Sequence, residues 1–329
     1  MAAPLDEKKD DALDQKTLMG HVRTATFDNG QTVVIKESLI QLINAETTRD
    51  GTYILENPIR EATLLRSLPP HPNIVTLLLE KHDDQKHQMI FSYAENGDLF
   101  NWIVKHGALP EPEVVLLTTQ LIEALTHIHL HHVAHLDLSL ENLFLKDQGR
   151  TIQIGDFGVA CKFLPGPQDI SWSNQRFPGK LYYADPQIIR ENLVYWPDKS
   201  DLWSLGVCVW TMLMEFPPYA SPFIHDMGFR LLTSSESDGV RALYQAYFQQ
   251  QKKSSTPCPT ISHEALDFLQ QLFRVDPLRR ATLHDLKQHP WIQGKKLTQL
   301  SKKPLLVSTF PLTSVHQVSL KPIRRCRIL

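Results

Sequence analysis

The sequence predicts an α+β protein with a small β-rich N-terminal part and a larger helical C-terminal part. Residues 22–26, 31–36 and 89–91 are short apolar runs bounded by turn residues, which is typical of strands. The later chain instead carries apolar residues at helical spacing over residues 111–132, and a buried helix is expected over residues 201–214. A length of 329 residues suits one two-lobed domain, or two domains that share a cleft.

Composition argues against several classes of protein. The net charge is -2, so there is no global charge signal for nucleic-acid binding. Residues 294–329 nevertheless carry eight Lys or Arg and no Asp or Glu, which leaves a charge of -10 for residues 1–293. The four cysteines have no paired spacing, and no apolar run approaches the length of a membrane span. With no apolar segment at the start of the chain, we expect reduced thiols and a cytoplasmic protein.

The most informative stretch is residues 135–142, which read His-Leu-Asp-Leu-Ser-Leu-Glu-Asn. Two short apolar runs follow, separated by a polar turn, and they lead to an Asp-Phe-Gly tripeptide at residues 156–158. This pattern predicts a hairpin with a carboxylate-bearing loop at each outer end. It brings Asp137, Asn142 and Asp156 into one small space. Oxygen ligands plus a free carboxylate are what magnesium-dependent phosphoryl transfer requires.

These motifs resemble those of the eukaryotic protein kinases. Three further runs fit the same family: Asp-Leu-Trp-Ser-Leu-Gly at 201–206, Asp-Pro-Leu-Arg-Arg-Ala-Thr at 276–282 and His-Pro-Trp-Ile at 289–292. They extend the resemblance to about residues 17–293. The resemblance implies a bilobal protein kinase-like fold, with a small β-rich N-lobe and a larger helical C-lobe.

The resemblance also suggests how the chain is divided. We expect an acidic, disordered N-terminus over residues 1–14, because this segment is rich in Asp, Glu and Lys. The kinase-like domain is expected over residues 15–293, with the N-lobe at about 15–91 and the C-lobe at about 92–293. Residues 294–329 form the basic tail.

The family resemblance implies that the N-lobe binds the phosphates of ATP. Lys36 ends an apolar strand and would contact the α- and β-phosphates, the alternative being an ordinary strand-terminal lysine. Residues 58–68 have the apolar spacing of a helix, and Glu61 on that helix would orient Lys36. The alternative for Glu61 is a solvated helix charge. Gly20 is the only glycine in the loop where the family carries three, so we expect weaker or altered phosphate contacts.

A second set of ATP contacts is implied where the chain passes between the lobes. Phe91 would border the adenine, and the backbone around Ser92 to Ala94 would hydrogen-bond to it. Asp98 opens the next helix, where an acidic side chain satisfies the helix dipole. By resemblance, Asp98 would also contact the ribose or a basic substrate residue. Asp98 and Glu141 together would favour basophilic protein substrates, with arginine before the target residue.

By the same resemblance, Asp137 would accept the proton of the substrate hydroxyl, and Asn142 and Asp156 would bind Mg²⁺. Ser139 stands where Ser/Thr kinases carry a lysine that faces the γ-phosphate, whereas Lys180 stands where they carry a threonine. We therefore expect Lys180 to supply the missing cation. The alternative is a solvent-exposed loop lysine.

Two other departures concern the activation segment. Leu136 replaces the arginine that binds a phosphorylated loop residue, and Arg176 lies where that residue would be. Both changes predict activity that does not need activation-loop phosphorylation. Gln187 replaces the glutamate that pairs with a late arginine, here Arg280. A neutral partner would lack charge assistance, which predicts a less firmly braced lobe.

The function expected from the resemblance is transfer of the ATP γ-phosphate to Ser or Thr hydroxyls of proteins, because the Leu-Glu-Asn run at 140–142 is typical of Ser/Thr kinases. The alternative is a catalytically impaired pseudokinase that acts as a nucleotide-binding or scaffolding module. The lost glycines, Ser139 and Gln187 favour that alternative. The retained Lys36, Glu61 and carboxylate cluster oppose it. A small-molecule kinase is disfavoured by the Asp-Phe-Gly tripeptide.

The basic tail carries a lipidation motif. Its last four residues are Cys-Arg-Ile-Leu, so Cys326 fits a prenylation box with the geranylgeranyl preference. The polybasic run before it would add a second membrane signal. We therefore expect membrane association through the tail, the alternative being a plain basic tail.

Overall fold

The computed structural model describes most of the chain between residues 14 and 294. The described residues are 7–8, 14–27, 29–169, 179–189, 194–234, 238–251 and 259–294. The predictions made for Arg176 and for Cys326 lie outside these ranges. Within them, no helix combines the length and the apolar composition needed to cross a membrane.

The N-terminal part is an antiparallel sheet in the order β1-β3-β4-β6-β5, with β2 also paired to β3. Its strands are β1 (Glu7–Lys8), β2 (Asp14–Lys16), β3 (Gly20–Phe27), β4 (Thr32–Leu39), β5 (Leu77–His82) and β6 (Lys86–Ser92). Asn29 and Gly30 lie between β3 and β4, where Gly30 adopts a positive φ of 80°. The register places Lys36 on β4 opposite Val22 of β3 and Met89 of β6. The lysine therefore projects from a central strand whose position is fixed on both sides.

The helices are concentrated in the C-terminal part, as the sequence predicts. They are α1 (Ile40–Ala45), α2 (Pro58–Ser67), α3 (Leu99–His106), α4 (Glu111–Leu130), α5 (Pro186–Ile189), α6 (Pro197–Met214), α7 (Met227–Ser234), α8 (Gly239–Gln251), α9 (His263–Leu272), α10 (Leu283–Gln288) and α11 (Pro290–Gln293). Short strand pairs join them: β8 (Leu143–Lys146) with β9 (Thr151–Ile154), β7 (Val133–Ala134) with β10 (Cys161–Lys162), and β11 (Gln168–Asp169) with β12 (Val194–Tyr195). The mixed α+β fold and the predicted hairpin are both confirmed.

The core of the C-terminal part is built around α6. Every residue of α6 from Ser200 to Met214 is buried, so this helix is enclosed on all sides, as a central helix must be. Its Trp203 packs edge-on against Phe273, with ring centroids 5.1 Å apart. Helix α4 packs against α6 and against β9. This packing fixes the base on which the loop of residues 135–142 rests.

Two N-terminal stretches differ from what the sequence suggests. Disorder was expected through residue 14, but Glu7–Lys8 pairs with the end of β3, and Asp14 begins β2. Strands of two or three residues carry no readable alternation, so only their partner strand defines them. No strand or helix was predicted over residues 37–57, which extend β4 to Leu39 and then form α1 and a bridge between Thr47 and Tyr53.

Candidate active site

Lys36 and Glu61 meet as an ion pair. The Lys36 Nζ atom lies 2.9 Å from Glu61 Oε2. Helix α2 places the glutamate because it begins at Pro58, with the Asn57 side chain accepting hydrogen bonds from the amides of Ile59 and Arg60. Glu61 is 1% exposed, so it is not the solvated helix charge of the alternative interpretation. Its other oxygen accepts a 3.1 Å hydrogen bond from the Phe157 amide.

Asp156 joins the same pair. Its Oδ1 atom lies 2.8 Å from Lys36 Nζ. Burial alone would lower the pKa of Lys36, but Asp156, Glu61 and Glu56 together raise it well above its usual value. Burial also opposes ionisation of Asp156, yet the Lys36 ammonium outweighs it and holds the pKa of that carboxyl below its usual range. Lys36 is therefore a fixed cation at the inner end of the site.

Asp201, at the buried N-terminal end of α6, holds the loop that carries Asp137. One of its carboxylate oxygens accepts from the Leu136 amide at 2.8 Å, and the other from the His135 amide at 2.9 Å. His129 also contacts the second oxygen at 2.8 Å. Leu136 has a positive φ of 61°, which is uncommon for a side chain of this kind. The buried carboxylate compensates for this strained backbone by satisfying two amides at once.

Asp137 and Asn142 contact each other at the end of the loop. The Asn142 side-chain amide donates to Asp137 Oδ2 at 2.9 Å and to the Asp137 carbonyl oxygen at 2.8 Å. Both residues are buried, and Asp137 Oδ1 has no hydrogen-bond partner among the described residues. A buried carboxylate oxygen without a donor is costly in a purely structural role, so this atom is suited to accept a proton or hydrogen bond from a bound group.

Lys180 approaches the same carboxylate from a different part of the chain. Its Nζ atom donates to Ser139 Oγ at 2.7 Å and lies 3.6 Å from Asp137 Oδ2. Gly179, with a φ of 83°, brings the chain to this point. A Cβ atom at Gly179 would lie 2.4 Å from the Leu136 carbonyl oxygen. The half-buried lysine is therefore directed into the site and is not a solvent-exposed loop lysine.

The chain was compared with known proteins. A family model described as Protein kinase domain matches residues 18–292. This chain belongs to the protein kinase family. It is 30% identical to Calcium-dependent protein kinase 14 of Arabidopsis thaliana over 250 residues, 75% of this chain and 43% of that relative. It is also 30% identical to Serine/threonine-protein kinase DCLK3 of Homo sapiens over 252 residues, 75% of this chain and 35% of the relative. The chain therefore spans less than half the length of these curated relatives.

The residues expected to surround adenine lie where the kinase chain leaves the sheet. Phe91 is buried on β6, opposite Val34 of β4. The Ser92 amide donates to the Thr76 carbonyl oxygen at 3.0 Å, and the Ala94 carbonyl oxygen accepts from the Gly97 amide at 3.1 Å. The segment then joins the hairpin of β8 and β9, because Asn96 and Gly97 exchange backbone hydrogen bonds with Leu145 of β8. This connection places the segment beside the hairpin that carries Asn142.

Asp98 caps α3, as the dipole argument predicts. Its carboxylate accepts from the Asn101 amide at 2.8 Å and from the Asn101 side chain at 2.7 Å. A bridge between Asp98 and Phe144 also fixes this helix start against β8. The contact of Asp98 with ribose or with a basic substrate residue stays a prediction.

Gly20 lies in a tight turn of the kinase N-lobe. The Thr17 amide donates to the Gly20 carbonyl oxygen, and the Gly20 amide to Thr17 Oγ1, both at 2.9 Å. Gly20 itself begins β3, where a Cβ atom would lie 1.8 Å from the Glu37 carbonyl oxygen. Close backbone packing therefore explains this glycine without reference to phosphate. The turn is also anchored through Met19, which packs in a buried cluster with Ile43 and Ile54.

The expected pairing of Gln187 with Arg280 is wrong. Arg280 instead forms a buried ion pair with Asp185, and its side chain also donates to the Lys199 and Arg274 carbonyl oxygens, at 2.5 and 2.9 Å. Gln187 Oε1 is buried with no hydrogen-bond partner in the described part of the chain. The acid that pairs with this arginine is therefore Asp185, two residues before the position where the family carries its glutamate. The sequence contained this signal, because an acid replaces the family alanine there.

Leu136 belongs to a buried apolar cluster in place of the family arginine. Its buried members are Ala134, Leu136, Phe163, Ile188 and Tyr195. Phe163 precedes the undescribed part of the activation segment, and Ile188 follows it. The cluster therefore holds both ends of that segment against the loop of residues 135–142. Pairing of β11 with β12 adds a backbone connection between the same two ends.

Glu56 is a site residue that the sequence argument missed. Its Oε1 atom lies 3.2 Å from Lys36 Nζ. Burial raises the pKa of Glu61 to about 7 against the opposing effect of Lys36, and the carboxylates of Asp156 and Glu56 add to the increase. Glu56 lies two residues before α2 and outside the motifs and periodic stretches found in the sequence, so neither spacing nor resemblance identified it.

Proposed function

We propose that this chain is an active protein kinase that transfers the γ-phosphate of ATP to Ser or Thr hydroxyls of protein substrates. The observation that carries the proposal is the position of the Lys180 ammonium, 2.7 Å from the Ser139 hydroxyl and 3.6 Å from the Asp137 carboxylate. This contact restores a cation at the place where the motif lost its lysine.

The proposed reaction assigns one task to each charged residue. The substrate hydroxyl oxygen attacks the γ-phosphorus, its proton passes to Asp137, and the bond to the β-phosphate oxygen breaks to release ADP. Lys36, oriented by Glu61, holds the α- and β-phosphates. Lys180 faces the charge that develops on the transferred group, where a preorganised cation is most effective.

Asn142 and Asp156 fit the requirements of a Mg²⁺ site. The Asn142 amide nitrogen is bound to Asp137, so its oxygen is the atom left to act as a ligand. The Asp156 carboxylate is ionised and its side chain is 37% exposed. Both supply the oxygen ligands that Mg²⁺ prefers. When bound, the ion would neutralise phosphate charge.

Activation in this proposal does not require a phosphorylated activation loop. The apolar cluster around Leu136 takes the place of the arginine–phosphate pair and binds both ends of the segment. An apolar cluster needs no modification to form, because burial of its side chains stabilises it directly. We therefore expect phosphatase treatment to leave the activity of the purified protein unchanged. Loss of activity after that treatment would contradict this part of the proposal.

Nucleotide binding without turnover is the second candidate function. The anchored turn of residues 17–20 favours it, because the Met19 and Leu18 carbonyl oxygens accept from the amides of Leu39 and Arg49 at 3.0 and 3.2 Å. The turn is held by these contacts and lacks two of the three family glycines, so weaker positioning of the phosphates for transfer is expected. The proposal of an active enzyme relies instead on the side chains of the catalytic loop.

One experiment separates these candidates. The purified wild type and Asp137→Asn are incubated with Mg²⁺, radiolabelled ATP and a generic basic protein, and transferred phosphate is counted. The proposal predicts transfer to Ser and Thr by the wild type and loss of at least about 1,000-fold in the variant, because the proton acceptor is removed. Equal background signals in both proteins, with intact ATP binding, would favour the second candidate.

A further inference from the structure

Three carboxylates surround the Lys36 ammonium. Besides Glu61 and Asp156, whose oxygens lie 2.9 and 2.8 Å from Nζ, Glu56 contributes an oxygen at 3.2 Å. The side chains of Lys36 and Glu56 are each 14% exposed, so water screens this contact only partly. An ammonium group has three N–H donors, and three carboxylates suffice to engage all of them.

The backbone directs Glu56 into this position. The amide of the next residue, Asn57, donates to the Gly158 carbonyl oxygen at 2.9 Å, and Arg60 donates to the same oxygen at 3.1 Å. The Glu56 side chain crosses Gly158 closely, because a Cβ atom there would lie 2.5 Å from Glu56 Cγ. The absence of a side chain at Gly158 therefore makes room for Glu56 beside Lys36.

Binding of a nucleotide requires some of these contacts to change. The α- and β-phosphates together need two donors from Lys36. Glu61 is fixed, since it is fully buried and also accepts from the Phe157 amide. Asp156 is expected to turn toward Mg²⁺, which releases one donor. The second donor has to be the Lys36 N–H group that now faces Glu56, because the contact between Lys36 and Glu56 is the longest of the three.

We infer that Glu56 is a displaceable partner of Lys36 that competes with the nucleotide phosphates. Three carboxyl groups around one ammonium leave an excess of negative charge, which repels a triphosphate until a divalent cation is bound. Glu56 therefore lowers the affinity for ATP and makes that affinity depend more strongly on Mg²⁺. This inference rests on the proposed function, from which it takes ATP as the ligand.

Calorimetric titration of the full chain with the nonhydrolysable ATP analogue AMP-PNP tests this role. The proteins compared are the wild type, Glu56→Gln, and Glu46→Gln, which removes an exposed acid ten residues earlier in the chain. We expect Glu56→Gln to bind AMP-PNP with Mg²⁺ about tenfold more tightly than the wild type. Its affinity should also fall less when Mg²⁺ is chelated. The Glu46→Gln variant should match the wild type.

Adenosine provides the matched ligand, because it lacks the phosphates with which Glu56 competes. Its affinity should be the same for all three proteins. An unchanged or weaker AMP-PNP affinity of Glu56→Gln, or an equal gain for adenosine, would overturn the inference. Failure of all three proteins to bind AMP-PNP would contradict the proposed function as well. If the three proteins bind AMP-PNP as predicted but the wild type transfers no phosphate, the proposed function is contradicted and this inference is not.

Discussion

The Lys180 ammonium donates a 2.7 Å hydrogen bond to the hydroxyl of Ser139, a residue 41 positions earlier in the chain. Ser139 and Lys180 each differ from the residue that protein kinases carry at that position, and the fold brings the two side chains into contact. The distance of 3.6 Å from Lys180 to Asp137 puts the cation beside the proposed proton acceptor. The lysine thus reaches the catalytic loop from the activation segment instead of from the loop itself.

The Asp185–Arg280 pair gives a stability prediction. We expect Asp185→Ala to lower the free energy of unfolding by about 3 to 5 kcal/mol, because it leaves the buried Arg280 guanidinium without its counter-charge. Gln187→Ala should cost less than about 2 kcal/mol, since its side-chain oxygen accepts no hydrogen bond from the described residues. Urea unfolding of both variants measures the difference. A larger loss of unfolding free energy for Gln187→Ala than for Asp185→Ala would indicate that Gln187 is the main partner of Arg280, as in the family.

Leu136 provides a second stability prediction. Leu136→Arg, which restores the family residue, should destabilise the protein by more than about 3 kcal/mol, because it places an unpaired charge among Phe163, Ile188 and Tyr195. Leu136→Met keeps the apolar volume and should cost less than about 1.5 kcal/mol. Denaturant unfolding measures both. Equal stability of the two variants would show that the cluster tolerates a charge.

Gly20 distinguishes backbone packing from phosphate binding. Gly20→Ala should lower the midpoint of thermal unfolding even without nucleotide, because the added Cβ meets the Glu37 carbonyl oxygen. Gly294→Ala is the matched control, since the nearest atom there lies at an ordinary contact distance of 3.4 Å. Differential scanning calorimetry compares them. A Gly20→Ala protein as stable as the control, but with weaker ATP binding, would instead assign this glycine to the phosphates.

Local patterns were sufficient to predict much of this fold. Apolar periodicity predicted α2 and α4, and the turn residues around 146–150 predicted the hairpin of β8 and β9. The ion pair of Lys36 with Glu61 was also expected, because the resemblance to the protein kinases implies it. These features depend on neighbours in sequence or on motifs with fixed spacing.

The parts that were missed depend on contacts between distant segments. Glu56 lies outside any periodic element, and contacts with a distant segment, such as the hydrogen bond from Asn57 to Gly158, bring it to Lys36. The sequence argument paired Arg280 with Gln187 and overlooked Asp185, which forms the ion pair. The anchored turn at Met19 follows from its burial against α1, whose existence no spacing rule indicated. Tertiary packing decides such positions, and a single sequence does not display it.

The central claim is that Lys180 replaces the missing lysine of the catalytic loop. The most direct test is the turnover number for phosphate transfer by Lys180→Ala, the double variant Ser139→Lys/Lys180→Thr, and Ser139→Ala as control. We predict a loss of about 100-fold for Lys180→Ala, recovery of most of it in the double variant, and a small change for Ser139→Ala. Turnover unaffected by Lys180→Ala, while Asp137→Asn abolishes it, would contradict the claim.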